Sequence, residues 1–187
     1  MYAAPDHRGS WFRNSLQESL DAIRTVAPFV PCDYIDVGAG RQRIRPGDLF
    51  GDGANVCAYA LDMSLEILGP SCPDVEHLVG DVLTLDLPEV DVWHDRAVMH
   101  FFTDESDRES YRQQVRRSVR PGGGIVVACF DSDGPDKCSG LPVARRSPEE
   151  LAAEFRDDFS VIELRHTEHT TPTGAVQRFA WFLGRRR

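Results

Sequence analysis

The 187-residue sequence lacks any apolar run long enough to span a bilayer, and its first ten residues, Met-Tyr-Ala-Ala-Pro-Asp-His-Arg-Gly-Ser, lack the apolar stretch of a secretory leader. A cytoplasmic protein with no membrane partner is expected. The chain is also short of positive charge, with 21 Lys and Arg against 30 Asp and Glu and a formal net charge of -9. Nucleic-acid affinity rests mainly on cations that neutralise phosphates, so nucleic acid is set aside as a partner and a small molecule is expected. The arginine clusters at 116, 117, 120 and 185–187 read as a solvated helix face and a charged tail. Cys32, Cys57, Cys72, Cys129 and Cys138 show no CxxC spacing, which leaves neither a disulfide framework nor a zinc ribbon. There is no internal repeat, low-complexity tract or linker, and the length suits one domain over residues 1–187.

What the chain does carry is an alternation of helical and extended patterns. Leu16, Leu20 and Ile23 recur at helical spacing between Asn14 and Val26, and the apolar run Tyr34 to Val37 then ends at Gly38-Ala39-Gly40. Extended runs follow at Val56 to Leu61, Val75 to Val79 and Val90 to Trp93, ending at Asp62, at Gly80-Asp81 and at His94-Asp95. Tyr111, Val115 and Val119 step by four within a helix from Asp104 to Val119, which Pro121-Gly122-Gly123-Gly124 stops before a fifth strand, Ile125 to Phe130. Ser147-Pro148-Glu149-Glu150 carries the signature of a capping box and opens a helix through Phe155. Val161 to Arg165 and Val176 to Leu183, on either side of Thr-Pro-Thr-Gly, can form an antiparallel pair. The pattern is that of the α/β class.

In an open parallel sheet, ligands sit beyond the carboxyl ends of the strands, where the winding reverses. The polar residues that end these strands gather there. Gly38 and Gly40 let the backbone turn and approach a ligand, although such a turn also occurs for purely structural reasons. Asp36 precedes them and can orient the loop or a ligand ammonium. Asp62, with Met63 beside it, lies about twenty residues beyond the glycines, where an acid accepts hydrogen bonds from ribose hydroxyls. Its alternative role is to cap the segment Ser64 to Leu68. Both nicotinamide enzymes and methyltransferases use that acid. Asp81, suited to an adenine amino group, and the lack of room for a second domain favour the methyltransferase.

Taken in order, five segments resemble the motifs of the class I S-adenosylmethionine-dependent methyltransferase family. They are Tyr-Ile-Asp-Val-Gly-Ala-Gly from position 34, Ala-Leu-Asp from 60, Val-Gly-Asp-Val from 79, Val-Asp-Val-Trp-His-Asp-Arg-Ala-Val from 90 and Arg-Pro-Gly-Gly-Gly-Ile-Val-Val from 120. The resemblance covers roughly residues 11–187. It implies a Rossmann-like three-layer αβα sandwich, mostly parallel sheet with an antiparallel C-terminal strand. It also implies S-adenosyl-L-methionine as cofactor, with its methionine part at Asp36, Gly38 and Gly40, its ribose at Asp62 and Met63, and its adenine at Asp81 and Val82. Trp93 and His94 would stand near the transferred methyl. One feature departs from the family: Arg41-Gln42-Arg43 replaces the third glycine, and Pro46-Gly47 leaves little room for the customary long helix. Arg41 or Arg43 can bind a carboxylate instead.

Methyl transfer from a sulfonium needs mainly in-line alignment, plus removal of the acceptor's proton. Trp93-His94-Asp95-Arg96 stands where many methyltransferases of adenine or glutamine carry Asn/Asp-Pro-Pro-aromatic. The expected acceptor is therefore nitrogen or sulfur of a small polar metabolite, with oxygen left open. His94 or His100 can act as general base, or be a structural histidine hydrogen-bonded beside Asp95. Arg96 can hold a substrate carboxylate, or pair internally with Asp95 or a glutamate. The Gly-, Pro- and Asp-rich loop at 131–146, which carries Cys138, and the segment 1–30 with Trp11-Phe12 are candidate acceptor-side lids or plain connectors. His100, Cys138 and His169, if they converge, suit a divalent transition metal, whereas His166 and Glu168 alternate to the opposite face. The alternatives to a methyltransferase are an NAD-dependent oxidoreductase and a non-catalytic nucleotide-binding module.

Overall fold

The computed structural model describes residues 16–41, 43–171 and 174–187. Its first half comprises α1 (Gln17–Val26), β1 (Tyr34–Val37), α2 (Pro46–Phe50), β2 (Ala58–Asp62), α3 (Leu65–Leu68), β3 (Glu76–Val79) and β4 (Val90–Arg96). A 3₁₀ turn at Met99–Phe101 leads to α4 (Glu105–Ser118), β5 (Val119–Phe130), the short strands β6 (Lys137–Cys138) and β7 (Leu141–Pro142), α5 (Pro148–Phe155), β8 (Phe159–Thr170) and β9 (Val176–Arg186).

The main sheet has seven strands in the order β3-β2-β1-β4-β5-β9-β8. The first five run parallel, and β9 enters antiparallel between β5 and β8. From β1 the chain winds outward to β3 and then returns to lay β4 on the other side of β1. The resulting switch point lies at the carboxyl ends of β1 and β4, the place where ligands sit in open parallel sheets. The expected mostly parallel sheet with an antiparallel C-terminal strand is the sheet observed.

Period-two alternation divides the core into two layers. Tyr34, Ala60, Val92, Val126, Ala128, Phe130 and Trp181 pack with Ala22, Ile23 and Val26 of α1 on one face. Ile35, Leu61, Trp93, Ile125, Val127 and Phe182 pack with Tyr111 and Val115 of α4 and Leu151 and Phe155 of α5 on the other. The α1 layer sits close to the sheet because Gly124 has no side chain; a Cβ there would lie 2.5 Å from the Val26 carbonyl oxygen. The expected capping box opens α5: Ser147 Oγ accepts from the Glu150 N–H at 3.2 Å, and Glu150 Oε2 accepts from the Ser147 N–H at 2.8 Å.

Several boundaries differ from expectation. β4 continues to Arg96, and β8 to Thr170, because pairing with β1, β5 and β9 carries the ladder past the apolar run. The loop at 131–146 holds the β6–β7 hairpin, too short for a periodic signal. The β1-to-β2 crossover contains a five-residue helix, consistent with the little room left by Pro46-Gly47. Of the expected N-terminal helix, Asn14 and Ser15 lie outside the described residues, as do Trp11 and Phe12.

Candidate active site

The Gly38-Ala39-Gly40 turn crosses from β1 towards β2, where the Gly38 and Ala39 N–H groups donate to the Leu61 carbonyl at 2.8 and 3.1 Å. Gly38 has φ +69°, and a Cβ there would stand 2.2 Å from Val98 Cγ2, so both the backbone conformation and the close approach require glycine. Gly40, with φ +57°, borders open space. Its N–H donates to Asp62 Oδ2 at 3.0 Å, and the Met63 N–H donates to Asp62 Oδ1 at 2.7 Å. The turn and the acid at the end of β2 are thereby locked together. Burial raises the Asp62 carboxyl pKa, and these backbone donors offset part of the rise. Ser64 Oγ, rather than Asp62, accepts from Ile67 N–H to cap α3. Further along the rim Asp81 is exposed and accepts the Leu83 N–H at 2.9 Å, Val82 is buried, and Met63 is exposed.

Of the two arginines that replace the third glycine, Arg43 is spent on protein: Nη1 donates to the Pro70 carbonyl at 2.7 Å, and Nη2 to that of Leu68. Arg41 remains at the surface.

β4 passes through the middle of this site and sends its side chains to opposite faces. On the α4 side Asp95 is fully buried and accepts three hydrogen bonds: Val98 N–H at 2.8 Å, Met99 N–H at 3.0 Å and Tyr111 Oη–H at 2.6 Å. Trp93 Nε1 donates to Tyr111 Oη at 2.9 Å, and the two rings meet edge to face. Burial pushes the Asp95 carboxyl up to about 6 against these donors. Trp93, expected at the cofactor near the transferred methyl, and Asp95, expected beside the acceptor, therefore belong to the core between β4 and α4. Tyr111, which sequence periodicity marked only as apolar, completes that network. A strand places i and i+2 on one face, so the contiguous run from Trp93 to Arg96 had to be split.

On the α1 side, His94 lies beside Asp36 in register, and His94 Nδ1 is 2.7 Å from Asp36 Oδ1, with both residues buried. Asp36 Oδ2 accepts the Ile44 N–H at 3.4 Å. His94 Nε2 and Arg96 Nη1 are buried with no hydrogen-bond partner. Arg96 makes no pair with Asp95, which faces the opposite layer. Burial lowers the Arg96 guanidinium pKa, and the charge of Asp36 works against that fall.

His100, Cys138 and His169 are all buried but form no metal site; no group of three His, Cys, Asp or Glu among the described residues can hold an ion. The expectation of a divalent metal at these residues is not met. The His100 ring lies between those of Phe101 and Phe130, with centroids at 4.5 and 5.0 Å, and neither nitrogen has a partner. Burial, with the charge of Arg146 nearby, drives its pKa down to about 3, so the ring stays neutral and is a poor base near pH 7. Cys138 sits in the β6–β7 hairpin with its thiol pKa raised by burial. His169 shares a face of β8 with Thr167, which accepts from Trp181 Nε1 at 2.9 Å. His166, on the other face, pairs with Asp131 at the end of β5. Gln177, opposite His169 in register, carries a buried unpartnered Oε1 that sequence reasoning did not single out.

No protein-family model matches the chain, and none of the curated proteins does. Solved structures match its fold over most of its length. The fold is that of the class I S-adenosylmethionine-dependent methyltransferases. The N-methyltransferase NodS from Bradyrhizobium japonicum superposes with TM-score 0.68 at 11% identity, over 91% of this chain and 94% of that one. A SAM-dependent methyltransferase from Methanosarcina mazei gives TM-score 0.64 at 16% identity, over 83% and 92%. The 1,6-didemethyltoxoflavin-N1-methyltransferase of Burkholderia thailandensis, with bound 1,6-didemethyltoxoflavin and S-adenosylhomocysteine, gives 0.61 at 19%, over 92% and 81%.

Proposed function

We propose that the chain is an S-adenosylmethionine-dependent methyltransferase acting on nitrogen or sulfur of a small polar metabolite. The observation that carries this reading is the locked pair of the Gly38–Gly40 turn and Asp62, on a sheet wound as in the methyltransferases. The residues present fit the cofactor: open space borders Gly40, Asp62 keeps lone pairs for ribose hydroxyls at the half-buried rim, and in this reading Asp81 and Val82 take the adenine. When bound, S-adenosylmethionine supplies a methyl group already attached to its own leaving group. The protein's part is to position the acceptor, exclude water and take up its proton.

The small-molecule reading is supported by the acidic balance and by the internal use of the basic clusters. Arg116 pairs with Asp158, and Arg120 with Asp33 and Asp91. Among the described residues no helix is long and apolar enough to cross a membrane. The loop at 131–146 flanks the acceptor side in this reading.

Calorimetry with S-adenosylhomocysteine and NAD tests the cofactor. Binding of the first and not the second is expected, and the reverse would establish the oxidoreductase. Asp62→Ala should weaken S-adenosylhomocysteine by about 1–3 kcal/mol, and unchanged affinity would count against the ribose role. A methyl-transfer assay on a metabolite pool distinguishes the enzyme from a non-catalytic nucleotide-binding module.

A further inference from the structure

We propose that the acceptor is a small carboxylate-bearing thiol or amine, held by Arg96 and deprotonated by His94 with Asp36 as its positioning residue. The proposal rests on the cofactor reading above and adds the acceptor class.

The argument begins with what is missing around β4. A half-buried guanidinium whose Nη1 is itself buried and unpartnered is costly, and native structures rarely keep one without a reason. Asp95, the nearest carboxylate in sequence, faces α4, on the side of the sheet away from Arg96, and is engaged by three donors. Asp36 is committed to His94 and to the Ile44 N–H. Arg96 Nη1 therefore retains an unused donor at the switch point, on the face it shares with His94. A planar guanidinium with spare donors is matched by a carboxylate. One cation calls for one negative charge, which favours a monocarboxylate.

The second atom is His94 Nε2. An aspartate carboxylate can only accept, so Nδ1, 2.7 Å from Asp36 Oδ1, carries the proton when the ring is neutral. That leaves Nε2 as a lone pair, buried and unpartnered. The arrangement is a base whose tautomer is fixed by its neighbour and whose proton-accepting atom is vacant. Both atoms are shut off from water, which would otherwise compete for them.

The step balances. The acceptor's sulfur or nitrogen lone pair forms the new bond to the methyl carbon, the carbon–sulfur bond of the sulfonium breaks, and its electron pair stays on that sulfur. The S–H or N–H proton passes to His94 Nε2. Asp36 stabilises the imidazolium until the proton leaves to water, and Arg96 holds the carboxylate throughout.

Matched probes test the proposal: 3-mercaptopropionate against 3-mercaptopropionamide, and β-alanine against β-alaninamide, in binding to the protein saturated with S-adenosylhomocysteine and in methyl transfer. For at least one pair the carboxylate member is expected to be preferred tenfold or more, with Arg96→Gln abolishing the preference while S-adenosylhomocysteine affinity stays within twofold. His94→Gln should lower kcat about a hundredfold with that affinity likewise retained. Nitrogen-15 spectra of the wild-type imidazoles should show His94 protonated on Nδ1, a readout that needs neither turnover nor a stable variant. No carboxylate preference in the wild type, a preference that survives Arg96→Gln, or a His94 proton on Nε2 would each overturn the assignment. Failure to bind S-adenosylhomocysteine at all would overturn the cofactor reading instead.

Discussion

On one face of β4, Trp93, Tyr111 and Asp95 close a set of hydrogen bonds; on the other, His94 and Arg96 end in buried atoms that bond to nothing. Trp93, His94, Asp95 and Arg96 alternate along a single strand, and Tyr111 reaches it from α4. His94 and Asp95 are both buried, so burial does not separate the two faces of this strand. Hydrogen-bond satisfaction does. Asp95, fully buried and already held by three donors, is out of a ligand's reach, whereas an orphaned donor and an orphaned lone pair are costs that a bound acceptor relieves.

Breaking the hydrogen-bonded side should have the largest effect. Asp95→Ala removes one acceptor from three donors and should cost about 3–5 kcal/mol in denaturant unfolding. A loss under about 1 kcal/mol would put Asp95 back among the candidates for chemistry. Gly38→Ala comes next. Its strained φ and the contact with Val98 should cost about 1–3 kcal/mol and lower S-adenosylhomocysteine affinity, both measurable by calorimetry.

Arg96→Met sharpens the comparison from the other side. Replacing an unpaired, half-buried cation by an apolar chain should leave stability unchanged or raise it by about 1–2 kcal/mol. A clear loss in thermal unfolding would show that Arg96 has a structural partner.

A further test of the comparison concerns pH. His100 has a folded pKa of about 3 against 6.5 for the free imidazole, so its contribution to stability is present above 6.5 and is lost as pH falls towards 3. Asp95 acts in the opposite sense: its carboxyl, raised to about 6 from 3.8, favours the folded state increasingly as pH falls from 6 to 3.8. His100→Leu should therefore flatten the loss of stability below pH 6.5. A melting profile as steep as the wild type's would show that His100 does not contribute to it.

The alternation of helices and strands, the Gly38–Gly40 turn and the acids at the ends of β2 and β3 were legible in sequence because periodicity and strand-end chemistry are local signals. The two faces of β4 were half legible. Period two separates Trp93 and Asp95 from His94 and Arg96, but which pair meets α1 and which α4 depends on how the crossovers lie on the sheet. Asp36 and His94 meet across 58 residues only because β1 and β4 are neighbours in register. The metal expectation at His100, Cys138 and His169 erred in the same respect: placing three buried residues on pocket-side segments did not fix how close their side chains come.

The loop between β5 and α5 is pinned at both ends. The Asp131 N–H donates to the Arg178 carbonyl at its start; near its end the Ala144 N–H donates to that of His100 and the Arg146 N–H to that of Phe130. Arg146 also pairs with Glu154 of α5, a carboxylate shared with Arg108 and Arg112 of α4. With both ends fixed to the scaffold, the residues from Asp133 to Val143 form an exchangeable cassette. Apart from Cys138, which packs in the core, and Asp133, which pairs with Arg178, their length and chemistry can change without re-registering the sheet or moving α5.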